Sequence, residues 1–354
     1  MRTPTRFQLC AGVVTMMVSL SAQAYPGESI VLDPVTGDYT ITYKSDDETA
    51  TGLMTTVFVP STKIVPTIRS SFRMEERGVI SYRYMVSNGA TAKQAIVGVL
   101  LEGIVNPILG EQAAPAAVPS TTITDVMAYG AANSAATPAP AGWDGDITRG
   151  MSRIDWMPKS GTLNTNGIQP GRTLTGFGFA SLDLPGISTA QMDGIGGSFG
   201  YPDAGPVFDS AVLPEVERLR YNDFVVRPAA VPMVAVPTPF DAAVLLDRIQ
   251  TQMHTWIGMK LLNATFSSQL DRYLTAAAET YRHNQPKAAK EDIEKVRGML
   301  KKEHPDLGRD EEHENAKNRE KNDDKKPAAI DRLAATVLDF NLAYVLKRAD
   351  GEKD

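Results

Sequence analysis

Cysteine is all but missing from this chain: a single one, Cys10, stands in 354 residues. That excludes a disulfide framework, and downstream of residue 10 it excludes a thiolate nucleophile and a cysteine-ligated zinc or iron–sulfur centre. Histidine is nearly as scarce, at positions 254, 283, 304 and 313. His313-Glu314 opens like the zinc motif H-E-x-x-H, but Lys317 stands where the second imidazole must be. No Walker loop occurs. Gly194-Ile195-Gly196 lacks the third glycine and the strand–helix setting of a dinucleotide site. Positive charge is in deficit, 36 Lys and Arg against 42 Asp and Glu, a net charge of −6. Nucleic acid, whose binding rests on neutralising phosphates, is therefore not an expected partner.

What is present begins with an address. Arg2 and Arg6 precede an uncharged stretch from Phe7 to Leu20, followed by Ala22-Gln23-Ala24, the small-x-small pattern of a cleavage site. Residues 1–24 read as a signal peptide, too short in its apolar part for a comfortable bilayer span. Cleavage near Ala24 removes Cys10, takes the net charge from −6 to −8 and leaves 330 residues from Tyr25. No second long apolar run follows. The expected location is a bacterial periplasm or the outside of the cell, with no transmembrane segment after cleavage.

The remaining chain has two periods. Residues 25–190 carry short alternating runs: Asp38 to Tyr43, Leu53 to Val59, Ile64 to Met74, Ile80 to Val86 and Thr173 to Phe179. Turn residues such as Asn88-Gly89 separate them, which predicts antiparallel pairing in a β-sandwich. Residues 111–142, rich in Ala and Pro, interrupt the pattern as a loop. Residues 191–240 are dense in Gly and Pro, and Pro228, Pro232, Pro237 and Pro239 predict an extended connector. Residues 241–350 show helical stripes, such as Val244, Leu245, Ile249 and Met253, with Asp241 placed as an N-cap. A charged insert, residues 301–327 with 17 charges of both signs, breaks this half. The expected fold class is α+β and multidomain: an N-terminal antiparallel β-sandwich followed by a C-terminal helical bundle.

Leu270 to Ala277, Ala288-Ala289 and Val296 to Leu300 resemble the helical FIVAR and FIMAH modules appended to bacterial exported proteins, over roughly residues 266–346. Those modules carry no catalytic motif, so the resemblance implies a spacer or surface accessory. Ile168 to Gly171, Gly176-Phe177 and Pro185-Gly186 are similar to exported β-sandwich proteins without an assigned activity.

Gly196-Gly197-Ser198-Phe199-Gly200 is formally G-x-S-x-G, but Pro202, Gly205 and Pro206 follow where a nucleophile elbow needs a helix. It reads as connector, and no catalytic residue is assigned. The ligand candidates are Trp143, Asp144, Asp146, Asp155 and Trp156, two of the three tryptophans and three carboxylates within 14 residues. Indole faces stack on sugars, and carboxylates accept hydroxyl hydrogens or hold Ca²⁺, the one candidate cofactor. Asp46-Asp47-Glu48 is a second acidic turn. The expected function is that of an exported, non-catalytic binding or surface-interaction protein with a glycan or cell-surface partner. The alternatives are a secreted hydrolase using Asp144, Asp146 or Asp155 on polysaccharide, and a structural envelope component. The deciding observation is where Trp143 and Trp156 point: burial of both removes the ligand site.

Overall fold

The computed structural model describes residues 25–46, 51–75, 78–103, 137–148, 153–196, 210, 212–307 and 328–351. Residues 1–24, where a signal peptide is expected, most of the expected 111–142 loop, Ser198, His313 and most of the charged insert lie outside them. Along the chain run β1 (Ser29–Leu32), β2 (Tyr39–Lys44), β3 (Leu53–Phe58), β4 (Pro66–Met74), β5 (Ile80–Asn88) and β6 (Ile96–Glu102). Then come β7 (Trp143–Thr148), β8 (Arg153–Pro158), the single turn α1 (Leu163–Asn166), β9 (Thr173–Ser181) and β10 (Leu184–Gly194). The last elements are α2 (Leu213–Tyr221), β11 (Val225–Val234), α3 (Ala242–Gly258), α4 (Ala264–Arg282), α5 (Pro286–Glu303) and α6 (Arg332–Ala349). The chain is thus mixed α and β, with three antiparallel sheets among the described residues. Among the described residues no helix is long and apolar enough to cross a membrane.

Two compact units divide the chain. The smaller joins residues 25–60 to 210–222. Its sheet has the order β1-β2-β3, and alternation sends Ile41, Tyr43 and Phe58 to one face, where Val212 and Val216 at the start of α2 cover them. A turn at Gly37, with φ of +73°, reverses the chain between β1 and β2. Glu28 binds the closing segments together, accepting from Lys44 N at 2.9 Å and from Ser210 Oγ at 2.8 Å.

The larger unit joins residues 61–196 to 223–351. It holds a five-stranded sheet of order β11-β10-β6-β8-β7 and a three-stranded sheet of order β4-β5-β9. Tyr82 stacks on Phe179 at 5.2 Å, and Trp156 meets Tyr84 and Phe177 at 5.8 and 5.7 Å. The two tyrosine hydroxyls find backbone acceptors, Asp183 O at 2.8 Å and Ala230 O at 2.7 Å, so their burial leaves no orphaned donor. Burial also pushes both phenols far above their ordinary pKa.

Strand β11 corrects the reading of residues 191–240 as a connector. Its register sets Pro228 opposite Thr189 and Pro232 opposite Pro185. Among the described residues it ends the sheet and pairs with β10 alone, so the missing proline N–H groups cost no ladder bond on the side away from β10. The same composition that suggests polyproline is that of a tolerated edge strand. Strand β10 also runs on to Gly194, and α2 lies within the same stretch.

The helices do not stand apart from the sheets. Asp241, Asn263 and Asp331 cap α3, α4 and α6 through their side chains. The apolar stripes of α3 and α6 enter the same core cluster as β10 and β11. Gly186 lets α3 approach, since a β-carbon there would stand 2.8 Å from Met233 Cβ and 3.0 Å from Gln252. On α6, Phe340 meets Phe72 of β4 edge-on at 5.0 Å, and Asn341 Nδ2 donates to Pro185 O at 2.8 Å. The expected boundary between a strand half and a helix half therefore falls inside one unit, while residues 25–60 leave the strand half for the small unit.

Candidate functional site

The five expected site residues lie on the hairpin of β7 and β8, where Trp143 pairs with Pro158 and Asp146 with Asp155. Successive strand residues point to opposite faces of the sheet. Trp143, Ile147, Ile154 and Trp156 therefore go to the core, and Asp144, Asp146, Arg153, Asp155 and Met157 to the other face. Trp143 is 3% exposed, its Nε1 donating to Asn166 O at 2.8 Å, and Trp156 is 0% exposed. Neither indole offers a face to a sugar. Closeness in sequence placed rings and carboxylates together, and the pleat separates them. Burial of both rings removes the expected stacking site.

The carboxylates form a stripe. Arg153 Nε donates to both oxygens of Asp155 at 2.9 Å. Burial raises the Asp155 pKa, a shift the Arg153 hydrogen bond opposes and the charge of Asp146 adds to. Asp193 on β10 lies over Gly98 of β6, so closely that a β-carbon there would fall 1.7 Å from its Oδ1. Its pKa is raised too, first by burial. Lys159 stands 3.9 Å from Asp144, an exposed and weak pair. Among the described residues no three His, Cys, Asp or Glu side chains converge on a point where an ion could sit.

His254 on α3 directs Nε2 at both oxygens of Asp271 on α4, 2.8 and 2.9 Å away, and Gln250 donates to Thr275 beside it. No hydroxyl among the described residues is hydrogen-bonded to this imidazole, so the pair clamps two helices and lacks a nucleophile. A shallow hollow of about 240 Å³ lies between β11 and α3, lined by Met233, Val234, Ala235, Arg248, Thr251 and Gln252. Its polar groups are already engaged, Arg248 on Ala235 O and Gln252 on Ile187 O.

The outward face of β4-β5-β9 is chemically the most distinctive, and motif reading missed it. Thr67, Arg69, Ser71 and Arg73 alternate outward along β4, while Ile68, Phe72 and Met74 pack inward. The register sets Ser71 against Arg83 and Arg73 against Ser81, with Ser87 against Thr173 on β9. Arg73 chelates Glu75 through Nε at 3.1 Å and Nη2 at 2.9 Å, and Ser81 Oγ donates to the same carboxylate at 2.8 Å. The serine bond, then the arginine, holds Glu75 below the usual carboxylate range. Arg69 and Arg83 are exposed and have no hydrogen-bond acceptor among the described residues. Among the described residues, three guanidinium groups thus share one sheet face with a single carboxylate and a bed of hydroxyls. The alternation of Arg and Ser along β4 was the available signal, but Arg83 joins it only through the strand register.

Comparison with protein-family models, with curated proteins and with solved structures finds no match to this chain.

Proposed function

We propose that the chain is an exported, non-catalytic binding or surface-interaction protein whose β4-β5-β9 face takes an acidic glycan of the cell envelope. The observation that carries this is the pair Arg69 and Arg83, exposed and without hydrogen-bond acceptors among the described residues, on a face rich in hydroxyls. Guanidinium groups present paired donors in the geometry that carboxylates and phosphates accept. In a chain of net charge −6 such a face is local and opposite in sign to the whole. The fold that goes with this reading is a sandwich of β4-β5-β9 against the five-stranded sheet, supported by the rings of Tyr82, Tyr84, Trp156, Phe177 and Phe179. The helices act as its buttress, and residues 1–24 as the export signal.

Hydrolysis through Asp146 and Asp155 is less well supported, because Arg153 engages both oxygens of Asp155 and the stripe lies on a sheet face. The test is a titration with polygalacturonate and with neutral dextran. Binding to polygalacturonate alone is expected, weakening as salt rises and falling at least tenfold in Arg69→Gln/Arg83→Gln, with no new reducing ends. Equal binding of dextran, or full binding by the double variant, refutes the assignment. Shortening of the polymer would favour the hydrolase.

A further inference from the structure

We propose that two copies of this chain join edge to edge through β3, antiparallel about Thr55, so that two three-stranded sheets become one of six. The argument concerns the small unit and is independent of the arginine face. An edge strand exposes a row of unpaired N–H and C=O groups, and folded proteins defend such edges. This chain defends its other edges. Strand β4 carries Pro66, Arg69 and Arg73, and its Ser70 Oγ accepts from Ala230 N at 3.0 Å. Strand β11 carries Pro228, Pro232 and Arg227. Strand β7 carries Asp144 and Asp146. Strand β9 meets Pro138, whose carbonyl accepts from Gly178 N at 3.0 Å. Strand β1 is only four residues long.

Strand β3 has none of these devices. Its six residues, Leu53-Met54-Thr55-Thr56-Val57-Phe58, include no charge and no proline. It pairs with β2 on one side, in continuous register from Tyr39–Phe58 to Lys44–Leu53. Among the described residues no backbone bond reaches its other side.

The occupant is a second copy because the strand complements itself. Phe58 is already buried in the small unit's core, which leaves Leu53 at 38% and Val57 at 56% as the exposed apolar side chains of β3. They flank Thr55 on the same face. A two-fold axis through Thr55 sets Leu53 of each copy opposite Val57 of the other and covers both. The Thr56-centred alternative leaves Val57 against a threonine. Directly opposite residues on antiparallel strands have Cα atoms about 4.5–5.5 Å apart, within disulfide reach.

The test uses the whole chain with its one cysteine replaced, Cys10→Ser. Under mild oxidation Thr55→Cys is expected to form a covalent dimer. Val57→Cys alone should not, but mixed with Leu53→Cys it should. Sedimentation of the unaltered chain should show mass rising toward a dimer with concentration. Thr55→Lys, which sets two ammonium groups on the axis, should return it to monomer with an unchanged circular dichroism spectrum. If that variant fails to fold, the cysteine variants still decide. The proposal is overturned by a monomer at every concentration. It is also overturned if Thr55→Cys dimerises no faster than Val35→Cys, a 91% exposed control, or if cross-linking is strongest at another β3 position.

Discussion

Replacing each tryptophan of the β7–β8 hairpin by phenylalanine tests whether these rings are core or ligand platform. The exchange removes about three buried heavy atoms, worth roughly 2 kcal/mol at about 0.8 kcal/mol per methylene-sized group. The two sites differ in what happens to the N–H. Trp143 Nε1 donates to Asn166 O at 2.8 Å, so its loss strands a carbonyl, adding about 1–2 kcal/mol. Trp156 Nε1 is buried without a hydrogen-bond partner among the described residues, so removing it relieves a desolvation cost of about 1 kcal/mol. Trp143→Phe should therefore cost about 3–4 kcal/mol and Trp156→Phe only about 1 kcal/mol. Urea unfolding followed by circular dichroism measures both. The unaltered protein should also emit in the blue and resist acrylamide, because Trp143, Trp156 and Trp256 are 3%, 0% and 1% exposed. Adding polysaccharide should leave that emission unmoved. A larger loss at Trp156 than at Trp143, or a ligand-induced shift in a variant retaining only Trp143, would refute the reasoning.

Asn341→Ala leaves the Pro185 carbonyl without its donor in a buried contact between α6 and β10. It should lower stability by about 1–3 kcal/mol, read as a shifted denaturant midpoint. Asp241→Ala removes the α3 cap on Val244 N and should cost about 1 kcal/mol by the same measurement. Asp193 has its pKa raised by burial, so its contribution to stability is complete below the unfolded carboxyl value and is lost as pH rises through the folded one. Asp193→Asn should accordingly raise the melting temperature at pH 7 and reduce its gain on acidification. A melting curve with the unaltered chain's pH slope would remove that account.

Where order is local, it was readable in the chain. The alternation of Ile80, Tyr82, Tyr84 and Val86 gives β5 its buried face, and Asp241 and Pro286 mark helix starts that the structure shows. What escaped was non-local. Pro228 and Pro232 argue against a strand until β11 is seen to have one neighbour only. Nothing in residues 210–222 says that α2 must return to Ile41 and Tyr43, because a short amphipathic helix carries no record of its partner. The tryptophans and aspartates of β7 and β8 are neighbours in sequence, yet the pleat sets them on opposite faces. Applied to Trp143-Asp144-Gly145-Asp146, the two-residue period already assigns rings and acids to different sides.

The small unit is written in two instalments, residues 25–60 and then 210–222, with much of the large unit's sequence between them. The large unit in turn is not finished until α6. A polypeptide threading through a pore N-terminus first would thus hold strands β1 to β3 half-clothed until α2 emerged, some 150 residues later. Such interleaving delays closure of either body. Truncation after residue 190 would leave both bodies without segments they need.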